Sequence, residues 1–157
     1  MINSSMAVEQ DMTATEQIPT TFGEFSLVEG RIVNLINGLP GFEHLKRFTI
    51  AELADFAPFS AMISLEEPEI SMLLVHARHL AVWNSVGVDP RELSAIGAGP
   101  GADLDIWVIL RTDPETHAFT ANVKAPLFVN RETNSGDQII LDDSRLSVDY
   151  PLSEGLI

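Results

Sequence analysis

At 157 residues the chain has the length of one domain with room for a real core. Hydrophobic residues at 45% and charged residues at 20% exclude a wholly disordered protein, and 23 acidic against 9 basic residues, a net charge of -14, argue against direct nucleic-acid binding because a phosphate backbone would be repelled. No run reaches the roughly 18 to 20 consecutive apolar residues that span a bilayer, residues 1–20 lack a basic start followed by an apolar stretch, and the lack of cysteine removes disulfide and thiolate chemistry. The expectation is a cytoplasmic protein with no membrane contact.

Residues 1–20 are polar, carry three acids and no base, and show no sustained period, so they read as a flexible leader to a single domain over 21–157. Phe22, Phe25, Leu27, Ile32, Val33, Leu35 and Ile36 then lie in short runs punctuated by Gly23 and Gly30, a pattern of strands and tight turns. In Gly38-Leu39-Pro40-Gly41-Phe42-Glu43 two glycines and a proline force a turn that sends Phe42 back onto apolar surface, with Gly41 at a left-handed position. Strands are predicted at 47–50 and 61–65, with Asp55 to Phe59 as an aromatic loop between them, and at 72–75 with a continuation toward Trp83. Asp89 followed by Pro90 is an N-cap and first-turn signal for one short helix ending by Gly97.

The run 104–110, rich in β-branched and aromatic residues, is the clearest buried strand. Residues 118–123 alternate apolar with polar, 126–130 resume as a strand, and a turn at Asn134-Ser135-Gly136 would pair 127–131 with 137–141 as a hairpin. Short strands with turns every ten or so residues predict a mainly β protein, a small barrel-like or sandwich domain of short antiparallel strands with one short helix.

The search for chemistry is less productive. His76 and His79 would share a face only on a helix, and the remaining histidines, His44 and His117, are distant in sequence, so a zinc set is not assembled. Gly97, Gly99 and Gly101 close a helix and precede a strand, the reverse of a phosphate loop. Asp103 and Asp105 share a strand face, where a divalent cation or plain solvation would suit them. There is no nucleophile elbow, and no cofactor is expected. Phe56, Phe59, Trp83, Trp107 and Phe128 read first as core and second as an aromatic binding face. The acidic turns Glu66-Glu67-Glu69 and Asp142-Asp143 are the candidate partner-binding residues, because a strongly acidic surface attracts and steers basic partners.

Two stretches resemble the family of flagellar assembly factors called FliW: Ile36-Asn37-Gly38-Leu39-Pro40-Gly41-Phe42-Glu43, and Thr120-Ala121-Asn122-Val123-Lys124-Ala125-Pro126-Leu127-Phe128-Val129-Asn130. Between and after them, Ile63 to Pro68, the string from Gly136 through Gln138 to Leu141, and Tyr150-Pro151-Leu152 are similar too, so the resemblance spans about 22–152. It implies a compact β-barrel-like domain, a monomer when free, that binds the RNA-binding regulator CsrA and also flagellin, and that works by switching between them. Where the family usually carries a proline and an aromatic-acidic stretch, this chain has His76-Ala77-Arg78-His79-Leu80-Ala81-Val82-Trp83. Two other readings stand beside it: an acidic β-domain adaptor for a different protein, and a metal- or carbohydrate-dependent enzyme.

Overall fold

The computed structural model of the chain describes residues 17–20, 23–53 and 55–156. β2 (Gly23–Leu35), β3 (Arg47–Leu53), β4 (Phe59–Ser64), β5 (Ser71–His76) and β6 (Leu104–Thr112) form an antiparallel meander. β8 (Leu127–Asn130) returns to pair with β6 from Leu104↔Asn130 to Trp107↔Leu127, and a hairpin carries it into β9 (Ser135–Gln138). β9 then pairs with β2 at Asn34↔Ser135 and Leu35↔Gly136, which closes a barrel of seven strands. This last pairing is parallel, because a strand entering beside β2 from the β8 hairpin runs in the same direction as β2. Closure leaves the barrel without a free edge, the feature that makes exposed sheets prone to association. β7 (Phe119–Ala121) takes the far half of β6, and β10 (Tyr150–Pro151) pairs with β7 ahead of a short helix, α1 (Leu152–Gly155).

Several sequence expectations shift. The ladder begins at β1 (Gln17–Thr20), inside the segment read as leader, because β2 extends beyond the reach of β3 and β1 supplies its partner from Gln17↔Ser26 to Thr20↔Gly23. The runs around Gly23 and Gly30 belong to one 13-residue strand, and its break is a register shift between Leu27 and Gly30. The hairpin turn lies earlier than predicted, with Asn134 at φ 60 and pairing resuming at Ser135. β5 stops at His76, where Nδ1 of the imidazole accepts the Arg78 N–H and caps a 3-10 turn over Ala77–His79. A second 3-10 segment follows at Ala81–Ser85. The helix after Asp89 runs from Pro90 to Ile96 with Asp89 as N-cap and Gly97 at φ 72 as C-cap, as the signals demand, but with 3-10 geometry.

Alternation sorts the strand residues into two apolar clusters. Val33, Leu35, Phe48, Ile50, Met62, Leu74, Leu127 and Val129 come from strands all round the closed sheet and meet inside it. A Cβ on Gly136 of β9 would lie 3.1 Å from a Leu35 methyl, 3.1 Å from the Phe128 carbonyl oxygen and 3.2 Å from a Val33 methyl, so a side chain there would crowd the barrel interior. The opposite parity, including Ile63, Val75, Val108 and Phe128, forms an outer cluster covered by Leu80, Ile96, Val123, Leu141 and Leu152. Phe128 is core; Trp83, 6.2 Å from it between ring centroids, is partly buried against the outer cluster, as is Phe59, and Trp107 is partly buried against the inner one, whereas Phe56 is 54% exposed.

Candidate functional site

The first motif string is a compact double turn at one end of the barrel. Gly38 at φ 66 and Gly41 at φ 86 adopt left-handed backbone, in agreement with the expectation for Gly41. The Phe42 N–H donates to the Leu39 carbonyl at 2.7 Å and the Leu45 N–H to the Phe42 carbonyl at 3.0 Å, so the chain folds back within a few residues. Leu39 and Leu45 enter the interior cluster and are its plug, while Phe42 is only partly buried against it. Pro40, exposed beside them, presets the turn backbone. The Glu43 carboxylate accepts the Gly41 N–H at 3.1 Å, and its bonds to backbone N–H groups, its own first, hold the carboxyl below its ordinary range.

The second string leaves the sheet after Thr120 and Ala121 of β7 and crosses to β8 as an irregular segment. Asn122 Oδ1 accepts the Ala125 N–H at 3.1 Å, and Gln138 Nε2 donates to the Ala125 carbonyl at 2.9 Å. The Leu141 N–H donates to the Lys124 carbonyl at 2.8 Å and the Ile139 N–H to the Pro126 carbonyl at 3.1 Å. Asn130, 2% exposed, donates from Nδ2 to the Ile96 carbonyl at 3.0 Å and accepts the Glu132 N–H at 3.0 Å, so it joins the end of the 3-10 segment to the end of β8. The polar residues of the string thus serve backbone groups that no regular ladder satisfies.

These two stretches, some eighty residues apart in sequence, meet on the surface. A groove of about 610 Å³ has Asn37, Gly38, Pro40 and Glu43 on one side and Asn122, Lys124 and Ala125 on the other. Asp137, Gln138, Ile140 and Val148 complete it. Sequence reasoning named Gln138 but missed the aliphatic part of this wall. In Ile139-Ile140-Leu141, which follows β9, Ile139 and Leu141 are buried and Ile140 is 71% exposed.

The acidic turns adjoin the same region. Glu66 Oε1 accepts the N–H groups of Lys46 at 3.3 Å and Arg47 at 3.1 Å, and Glu67 contacts His44 Nε2 at 3.1 Å, both just after the first motif. Glu69 and Asp142 are exposed. Asp143 pairs with Arg145 at 2.7 Å, which lowers its pKa to about 2, and its carbonyl accepts Lys124 Nζ at 3.3 Å.

At the other mouth of the barrel, His76 Nε2 lies 3.2 Å from Asp105 and its ring stands edge-on to Trp107 at 5.0 Å. Burial, then the charge of Arg78, lowers the His76 pKa. Arg131 lies between Asp103 at 3.5 Å and Asp105 at 3.6 Å, so that acidic pair holds a guanidinium. Among the described residues no group of three His, Asp or Glu side chains is placed to hold a metal ion, and no helix is long and apolar enough to cross a membrane.

The molecule is therefore a small closed β-barrel with one prominent groove where two loop motifs converge. The FliW protein family model matches residues 16–152, a span that contains both motifs, and the chain belongs to the FliW family. It is 30% identical over 137 residues to the flagellar assembly factor FliW of Thermosipho africanus, covering 86% of this chain and 94% of that protein. With the flagellar assembly factor FliW of Carboxydothermus hydrogenoformans it shares 32% identity over 131 residues, 83% of this chain and 82% of that one. A crystal structure of the flagellar assembly factor FliW superposes with a TM-score of 0.71 at 26% identity, covering 87% of this chain and 96% of that chain.

Proposed function

We propose that this chain is a cytoplasmic, non-enzymatic flagellar assembly factor that acts by binding two proteins in turn, the translational regulator CsrA and flagellin. Flagellin holds the factor until export removes the flagellin; the freed factor then captures CsrA and relieves its block on flagellin synthesis. The observation that carries the reading is the convergence of both family motifs on one groove at the surface of a closed barrel. Residues spent on turn geometry and backbone satisfaction build a rigid surface, which is what a binding module requires.

Acidic character supports the choice of partner. A net charge of -14 attracts a protein whose own RNA-binding surface must be basic. Glu66, Glu67, Glu69, Asp142 and Asp143 are the proposed contact acids; contacts to residues 44–47 place the first turn beside the first motif, and the Asp143 carbonyl joins the second to Lys124 of the groove. Gly38, Leu39, Pro40, Gly41, Phe42 and Glu43, with Thr120, Ala121, Asn122, Ala125, Pro126, Asn130 and Gln138, are the proposed framework of that surface.

Calorimetric titration of the purified chain with CsrA and with flagellin, each at low and high salt, tests the proposal. Binding to both, weaker for CsrA as salt rises, is expected because screening shortens the reach of surface charge. Absence of binding to both proteins overturns it.

A further inference from the structure

The groove offers three kinds of chemistry side by side. Its aliphatic wall is Ile140 and Val148, 71% and 53% exposed. A single exposed aliphatic is ordinary, but two lining one concave surface mark a contact.

Its amides are oriented and half-used. Asn37 Nδ2 donates to Asp137 at 3.2 Å, Asn122 Oδ1 accepts the Ala125 N–H, and Gln138 Nε2 donates to the Ala125 carbonyl. The opposite atoms, Asn37 Oδ1, Asn122 Nδ2 and Gln138 Oε1, have no partner among the described residues. One donor group and two acceptors fixed by the fold match the alternating C=O and N–H of a peptide main chain.

Its charge is selective. Carboxylates of Glu43 and Asp137 line the groove, and the Lys124 ammonium, the one among the described lining residues, is directed to the Asp143 carbonyl at 3.3 Å. Glu43 is held ionised by backbone N–H groups and so remains a fixed negative site.

From these features we infer that the groove takes an extended segment of a protein partner in which an aliphatic side chain neighbours a lysine or arginine. The aliphatic group packs between Ile140 and Val148, the main chain bonds to the free amide atoms, and the cation faces Glu43 and Asp137. The inference rests on the protein-binding reading above and says which surface does the binding and what it selects.

Two arms test it on the full chain. In the first, three short peptides of equal length are titrated into isotope-labelled protein: one with adjacent lysine and isoleucine, one with the lysine replaced by glutamate, one with the isoleucine replaced by serine. Only the first is expected to shift the side-chain amide signals of Asn37, Asn122 and Gln138. No shift, or equal shifts from all three, overturns the inference. In the second arm Ile140→Glu and Val148→Glu are measured against CsrA and flagellin, with Phe56→Ser, at an exposed aromatic outside the groove, as control. A loss of about tenfold or more is expected for the groove variants, the scale of a lost anchor, with thermal stability unchanged and the control at wild-type affinity. If the wild-type chain binds either protein and the groove variants bind it equally, the inference falls while the protein-binding reading stands. If the wild-type chain binds neither, that reading falls and the peptide arm still decides what the groove accepts. Photo-crosslinking from position 140 to a second copy of the chain, rather than to a partner, also overturns it.

Discussion

The two glycines of the first motif look equivalent in sequence and should behave very differently on substitution. Both have positive φ, 66 at Gly38 and 86 at Gly41, so an alanine at either meets the left-handed penalty of about 1–2 kcal/mol. At Gly41 an added Cβ has nothing within 4 Å, and the conformational penalty is the whole effect. At Gly38 the Cβ would lie 2.7 Å from the Glu43 Cα and 2.8 Å from the Glu43 carbonyl oxygen, which are backbone atoms with no rotamer to escape into. Either the turn opens or Leu39 leaves the barrel, an overpacking cost of roughly 1–3 kcal/mol more. For a domain of 150–250 residues each kcal/mol lowers Tm by roughly 2–4 °C. Gly41→Ala should therefore lower Tm by about 2–8 °C and Gly38→Ala by about 4–20 °C, with Gly41→Val worse than Gly41→Ala because branching at Cβ strains left-handed backbone further. Thermal unfolding followed by circular dichroism, with urea midpoints as a second scale, measures all three. A Gly38→Ala variant that melts with or above Gly41→Ala would refute the close-approach argument, and a Gly41→Val variant with wild-type Tm would refute the turn assignment itself.

Three further outcomes are expected. Asn130→Ala leaves the Ile96 carbonyl and the Glu132 N–H without their side-chain partner, a loss of about 1–3 kcal/mol, and hydrogen exchange should accelerate over 93–98; unchanged stability and protection would contradict the bridging role. The lowered pKa of His76, caused first by burial and then by Arg78, means the folded state prefers the neutral ring. Its contribution to stability is full above the unfolded value near 6.5 and is lost as pH falls below it toward the folded value. Urea midpoints for wild type and His76→Gln measured on either side of that value should diverge, with the wild type losing more at low pH; parallel pH profiles would be inconsistent with this. Asp143, held down to about 2 by Arg145, should titrate by carboxyl NMR near there, and Arg145→Ala should move it up toward the ordinary carboxylate range; no movement would show that the pair does not form in solution.

What was legible in the sequence was local. Asp89-Pro90 and Gly97 fixed both ends of a helical segment because capping is a property of a few adjacent residues. The 104–110 run is a strand because β-branched and aromatic residues suit a packed pleated surface. The barrel's closure was not legible, since it depends on two residues of β9 lying parallel to two of β2, a hundred positions away. The same holds for the groove: Asn37 faces Asp137, and Gln138 reaches Ala125, through contacts that the hairpin register decides. The acids named from sequence lie near the site, whereas Ile140 and Val148, which follow β9 in irregular backbone, escaped notice because exposure outside regular elements has no period to read.

That distinction bears on residues 76–83, the segment that leads from β5 toward the Asp89 cap. Residues 76–83 line no part of the groove; Ala77 and Leu80 are 1% and 0% exposed in the outer cluster, and Trp83 packs on Phe128. The segment therefore covers the barrel's outer face, entered through the turn that His76 caps. Substitutions there act on stability, and on the small pocket that His76, Arg78 and His79 share with Phe59 and Trp107 at the opposite mouth. The groove is held instead by Gly38, Asn122, Gln138 and the plug residues Leu39 and Leu45, none of which touches that segment in any hydrogen bond of the described residues. Partner choice at the groove should then be separable from that segment. Ala81→Ser, placed on an exposed position of it, is expected to leave affinity for CsrA and flagellin unchanged in the same titrations where Ile140→Glu lowers it about tenfold or more. A loss of equal size from both would mean that the two ends of the barrel form one binding surface.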